Sequence, residues 1–417
     1  MELDAVSQPR LEQLERFKPA GLVIGIMDSD HQDGAPVALV REALASLPRA
    51  PRTVIVCNHP DPEAGSGAAG MHEDEADSIG VLHSPLAAGG AGERKGLLQA
   101  YPALLGIARK LEAGACAVVA SQFHAVTSQW LHGQVQPLLE LAFDLVSPVY
   151  SRHNLEGLLN RSILSPLYRA LYGEQLRNPL GPDFGISSRL LATLTNVDQR
   201  ARHEQNHPAP LAAIVSTAAG GNFQICESYL GPSTQPPTDW TNLSALLAEV
   251  LGPVFGEMER HAALWQRIRG SRPVPLFGAA VAPEGESASV DVARLIESFQ
   301  LGSQNLQDIW GLLLPPASLF EWRKLARLPA AQFRLPDDLW ARTIFDFALG
   351  YHLHTISRDH LLRSLTPLYL GWIASYVLEL EGAPGGVESR LERLARAFEA
   401  GKPYLVSRWR WPDRFNP

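Results

Sequence analysis

The sequence predicts an α/β protein in which a mainly parallel sheet is interleaved with helices and followed by a helical C-terminal domain. Three observations carry that expectation. Short apolar runs of strand character alternate with helical patterns through the first half of the chain. From Val290 to Gly401, apolar residues recur at three- and four-residue spacing, as packed helices require. The chain has 417 residues at 46% hydrophobic composition, enough to bury a large core across two domains.

Taken in order, GLVIGIM (Gly21–Met27) reads as the first strand. A helix follows near Pro36–Leu47, then a second strand, TVIVC (Thr53–Cys57). Gly65–Met71 and Ala87–Gly92 read as flexible loops. A helix near Glu93–Glu112 precedes the strand CAVVA (Cys116–Ala120), and another helix runs from about Thr127 to Leu141. Asp144–Pro148 reads as a strand end. After it come a loop with Arg152 and His153, a helix from about Asn154 to Tyr172, and a Gly/Pro-rich turn around Asp183. NFQICESYL (Asn222–Leu230) alternates like a strand, and Leu243–Arg267 carries a long helical pattern. Arg269–Ser289 reads as a Pro/Gly-rich linker. Helices are expected at Val290–Phe299, Leu306–Leu314, Leu319–Leu325, Asp337–His354, Arg358–Leu380 and Val387–Ala400. The expected division is therefore a sheet domain over 1–270, a linker over 271–289 and a helical domain over 290–417. Alternating strands and helices imply right-handed crossovers, and parallel sheets place ligands at the carboxyl ends of their strands. Attention falls on the residues just after Met27, Cys57, Ala120 and Pro148.

Bulk properties exclude several classes. A net charge of −8 without a basic cluster argues against nucleic acid as a partner. No apolar run reaches the roughly 18 residues of a membrane span. The first 17 residues, MELDAVSQPRLEQLERF, lack an apolar signal core. Cys57, Cys116 and Cys226 are scattered and set mostly in apolar runs, as suits reduced core thiols of a cytoplasmic protein.

The most informative stretch is Val146–Ser187, VSPVYSRHNLEGLLNRSILSPLYRALYGEQLRNPLGPDFGIS. With TSQW (Thr127–Trp130), LWQRIRGSRPVPLFG (Leu264–Gly278), LTPLYLG (Leu365–Gly371) and KPYLVSRW (Lys402–Trp409), it resembles a bacterial glycosyltransferase family of GT-A fold. That family is close to the mannosylglycerate and glucosyl-phosphoglycerate synthases. The resemblance covers nearly the whole chain and implies a nucleotide-sugar donor, a small acceptor and a divalent metal.

The metal chemistry is where this sequence departs. The family ends its fourth strand with Asp-x-Asp, whose carboxylates hold the ion that neutralises the departing diphosphate. The matching positions are Ala120, Ser121 and Gln122. The Gln122 amide can hydrogen-bond a phosphate but cannot replace two anionic ligands. Relatives also place a histidine shortly after a Leu-Gly pair; Leu230-Gly231 is followed by Pro232-Ser233-Thr234-Gln235. Where the family has a further acid, Leu211 stands. No divalent ion or other cofactor is therefore expected. The base-contacting loop reads Asn58-His59-Pro60-Asp61, and Asp61 is the nearest substitute for the missing acid. Lys95 is the counterpart of a basic residue near the donor. Arg94, Lys95, Arg152 and Arg177 supply the basic groups a metal-free site needs. By resemblance, Asp183 touches donor-sugar hydroxyls and is the candidate catalytic residue. Arg152, His153 and Asn160 frame the acceptor side. For Arg152, Asn160 and Asp183, the reading as fixers of loops and helix ends stands beside substrate contact.

Other clusters take ordinary readings. Asp28-Ser29-Asp30 is turn chemistry, and His72-Glu73-Asp74-Glu75 is a solvated acidic tip. His352, His354 and His360 do not share the face of a helical zinc pair. Three functions follow. The first is a degenerate glycosyltransferase-like protein with a binding or regulatory role beside an active paralogue, binding nucleotide-sugar weakly. The second is an active metal-independent transferase. The third is a scaffold whose helical domain forms a homo-oligomer or partner interface.

Overall fold

The computed structural model describes residues 14–27, 35–47, 49–58, 70–73, 78–84, 93–120, 127–201, 210–232, 242–283, 289–380 and 386–412. The chain forms two units. The first comprises Met1–Arg152, Asn178–Gln235 and Val274–Glu284; the second comprises His153–Arg177, Pro236–Pro273 and Gly285–Pro417. The expected helical domain from residue 290 lies in the second unit, joined there by two segments from earlier in the sequence.

The first unit is built on a mixed, mostly parallel sheet. Its strands are β1 (Leu22–Ile26), β2 (Thr53–Cys57), β3 (Gly70–Glu73), β4 (Ile79–His83), β5 (Ala115–Val119) and β6 (Leu145–Ser151). Farther along come β8 (Phe184–Ser187), β9 (Ile225–Pro232) and β11 (Leu276–Phe277), while the two-residue β7 (Glu174–Gln175) and β10 (Arg272–Pro273) pair with each other in the second unit. Among the described residues the sheet runs β11-β9-β6-β8-β5-β1-β2-β4-β3. β1 pairs in parallel with β2 and β5, and β6 with β9. β8 is inserted antiparallel between β5 and β6. β1, β2 and β5 are buried along their whole length, as strands covered on both faces must be. Leu22, Ile24 and Ile26 meet the core formed with helices Ala35–Ala45 and Ser128–Leu139. The opposite face meets helix Glu93–Lys110. There Gly25 lets the helix come close, because a Cβ at that position would meet the Leu104 side chain at 2.3 Å.

Four local expectations are corrected. Gly70 and Met71, at the end of an expected flexible loop, begin β3. His72 and Glu73, read as a solvated tip, continue that strand and pair with β4. The expected linker contains β10 and β11, and β11 extends the main sheet beside β9. The helix expected from about Asn154 begins later, because the chain turns at Gly157, whose φ is +60°. It then widens into a π-turn over Asn160–Leu164 before helix Ser165–Tyr172. Pro166 has no amide hydrogen for the carbonyl of Ser162; the indole Nε1 of Trp340 donates to that oxygen instead, at 3.0 Å.

In the second unit the described residues between 300 and 400 carry helices and no strand. Helix Gly386–Arg410 packs against Ser165–Tyr172 and Asp337–His352. The buried Lys402 donates from Nζ to the carbonyls of Leu171 and Ile268, at 3.1 and 2.7 Å. Leu171 is in the last turn of its helix, where a lysine complements the unpaired carbonyls. Arg169 binds both Glu392 and Glu399. No helix of the described residues is long and apolar enough to cross a membrane.

Candidate functional site

The sheet order reverses direction at β1, which lies between β5 and β2, and crevices for ligands form outside the carboxyl ends of strands at such a point. The strand ends there are tightly knit. Met27 N–H donates to the Val119 carbonyl at 2.9 Å, and Asn58 N–H to the Ile26 carbonyl at 2.9 Å. The Asn58 side chain donates to the Met27 carbonyl at 3.4 Å, so the first residue of the expected base-contacting loop fixes the end of β1.

Asp183 enters β8, which runs opposite to β5 and β6. It therefore stands at the edge where both neighbours finish. Its side chain is 0% exposed. Oδ1 accepts from the N–H of Ala120 at 2.6 Å, and Oδ2 accepts from the hydroxyl of Tyr150. The Arg152 guanidinium lies 5.1 Å from the centroid of the Tyr150 ring, within cation–π range. Arg152 and Asp183, singled out separately in the sequence, thus share Tyr150.

The turn before β8 is also held. Ser147 Oγ donates to the Asn178 carbonyl at 2.9 Å, and Tyr101 donates to the Pro182 carbonyl at 3.1 Å. A Cβ on Gly181 would meet Pro148 at 2.1 Å, so only glycine permits this approach. Leu211, where the family has an acid, lines a small apolar pocket with Pro148, Gly181 and Phe184.

His153, Asn160 and Arg177 belong to the second unit. Asn160 is buried and its Nδ2 donates to the carbonyl of Arg177, which brings these two residues together through the backbone of one and the side chain of the other. His153 N–H donates to Glu156 at 3.1 Å, and Arg161 reaches the His153 carbonyl at 3.5 Å. Asp61 and Gln122 lie outside the described residues, as do Asp28-Ser29-Asp30 and Ser233 to Gln235. Lys95 falls on helix Glu93–Lys110, with its side chain outside the description. Among the described residues no group of three or more His, Cys, Asp or Glu could hold a metal ion.

Tyr150 had no sequence signal beyond its place in the informative stretch. Asp144, at the opposite end of β6 and outside that stretch, had no signal either. Burial pushes its carboxyl up, but Arg189, the Gln224 amide and Ser187 outweigh that and hold it below the usual range. The quoted motifs also acquire structural reasons. Thr127 of TSQW is the N-cap of its helix and accepts from Trp130 N–H at 3.1 Å. Lys402, Arg408 and Trp409 of KPYLVSRW are buried.

No protein-family model and no curated protein sequence matches the chain. Several solved structures do. One is glucosyl-3-phosphoglycerate synthase from Mycobacterium tuberculosis in complex with Mn2+, UDP and glucosyl-3-phosphoglycerate; it has 15% identity over 60% of this chain and 84% of that one, at a TM-score of 0.36. A mycobacterial protein shares 17% identity over 59% of this chain and 78% of its own, at 0.37. Mannosyl-3-phosphoglycerate synthase from Rubrobacter xylanophilus shares 13% identity over 63% of this chain and 82% of its own, at 0.37. The synthases among these neighbours are of the kind the sequence motifs resemble.

Proposed function

We propose that the chain is a glycosyltransferase-like protein of the nucleotide-sugar-dependent GT-A type, with a binding or regulatory role in place of metal-assisted transfer. One observation carries this reading. At the carboxyl edge of β5 and β6, the buried carboxylate of Asp183 faces protein donors, Ala120 N–H and Tyr150 O–H. A magnesium or manganese ion needs several oxygen ligands with lone pairs directed at it. The sequence from Ala120 to Gln122 supplies no carboxylate, and the fully buried Asp183 turns both oxygens to protein donors, so the described residues here offer a divalent ion no set of oxygen ligands. Leu211 against Pro148 and Phe184 is an apolar surface and no place for a charged ligand.

Calorimetry with a panel of UDP- and GDP-sugars, with and without magnesium or manganese, tests the reading. Weak or absent binding that gains nothing from metal is expected. Tight binding that strengthens with metal would sink it.

Arg152 favours a second reading, a metal-independent transferase in which basic groups bear the diphosphate charge. Its half-buried guanidinium stands just past the carboxyl end of β6. Turnover in the presence of a chelator would establish that reading. Leu301, Leu312 and Phe320, each 59–64% exposed on the helical unit, support the third, an interface to a second copy or a partner.

A further inference from the structure

β5 and β6 are not hydrogen-bonded to each other, because β8 separates them. Their carboxyl ends are nevertheless joined through one side chain. The amide of Ala120, the residue just after β5, and the hydroxyl of Tyr150, near the end of β6, converge on the two oxygens of Asp183. A carboxylate taken out of water must be met by donors, and donors with little freedom hold it in one place. Tyr150 is 6% exposed and has Arg152 over its ring, so its hydroxyl is directed. The Ala120 amide is directed by the strand it follows. Behind Asp183, the turn is held by the Tyr101 bond to Pro182 and by the close approach of Gly181 to Pro148. The side chain is a brace between two strand ends, fixed at its own base.

We propose that Asp183 is a positioning residue and not the donor-sugar contact that its place in the sequence suggests. Together with Tyr150 it sets the Ala120 amide, and so the end of β5, on the edge where a nucleotide-sugar would bind. The functional half of this statement rests on the nucleotide-sugar reading above; the mechanical half does not. A residue touching the sugar would affect nucleotide-sugar and bare nucleotide differently. A residue acting through the end of β5 affects both alike.

The test uses the full chain with Asp183→Asn and Tyr150→Phe. Hydrogen exchange is followed amide by amide, and calorimetry is run with UDP and with UDP-glucose. A neutral acceptor is about half as strong as a charged one, so Asp183→Asn is expected to speed exchange at the Ala120 amide about tenfold. Tyr150→Phe is expected to speed it by a smaller factor. In both variants the amides of Cys116 to Val119, held by the strand ladder, keep their protection. UDP and UDP-glucose are expected to weaken by the same factor in each variant. Unchanged exchange at Ala120 in both variants would overturn the proposal. So would an Asp183→Asn protein that loses UDP-glucose while keeping UDP. If the unaltered protein binds neither ligand, as the reading above allows, the exchange result alone decides the positioning role; binding that tightens with magnesium or manganese would sink that reading and leave the exchange result standing.

Discussion

Each unit buries a carboxylate, and the two are compensated in different ways. Asp183, in the sheet unit, is met by the neutral donors Ala120 N–H and Tyr150 O–H. Asp346, in the helical unit, is 1% exposed and faces a cation. Arg408 and Tyr404 both bond its Oδ1, and Oδ2 has no hydrogen-bond partner among the described residues. Neutral donors at a strand end localise a group without importing a second buried charge. A cation imports one, so the pair joins helix Asp337–His352 to Gly386–Arg410 at the expense of burying both ions. The sheet edge is thus arranged for local geometry, and the helical junction carries electrostatic tension.

The largest expected effect comes from breaking the helical pair on one side. Arg408→Ala leaves Asp346 buried without its cation and is expected to cost about 3–5 kcal/mol of stability in denaturant unfolding. Asp346→Asn combined with Arg408→Met should recover most of that loss. If Arg408→Ala costs as little as a surface substitution, the contrast between the units is wrong.

Acidity provides the next test. Burial pushes the Asp346 carboxyl from its ordinary 3.8 up to about 7, with Arg408 opposing the rise. The folded state therefore holds this proton more tightly than the unfolded chain. The contribution to stability is full below about pH 4, declines as pH rises toward 7, and is gone above it. Unfolding of the unaltered protein should show this decline, on the order of a few kcal/mol, and Asp346→Asn should flatten it. Lys402 has the opposite sign. Burial lowers its amine from 10.5 to about 8, so its contribution rises with pH between those values and is absent from Lys402→Met. The smallest expected change belongs to the sheet edge: Tyr150→Phe should cost about 2 kcal/mol, the worth of one hydrogen bond to a charged group.

These contrasts also mark what could be read in the sequence. β1, β2 and β5 were legible because fully buried parallel strands are unbroken apolar runs, and the helices after residue 290 because their apolar residues keep one face. β4 was not, since glycine interrupts its short apolar run and the two expected loops, Gly65–Met71 and Ala87–Gly92, lay on either side of it. β8 has four residues, and its partners come from Ala115–Val118 and Leu145–Val146, far from it in sequence. At the candidate site Asp183 could be picked out, but not its company. Tyr150 precedes it by 33 positions with no periodic relation, and the Ala120 amide has no side chain to announce it.

The widened turn at Asn160–Leu164 has a consequence for inheritance. Ser162 and Trp340 are 178 positions apart, and the indole fills a vacancy that exists because residue 166 is proline. In a descendant that replaces Pro166, the Ser162 carbonyl regains an amide neighbour from its own helix and no longer depends on the Trp340 indole, which its second lone pair can still accept. Change at either position alters what the other can tolerate, so the two should be passed on or exchanged together.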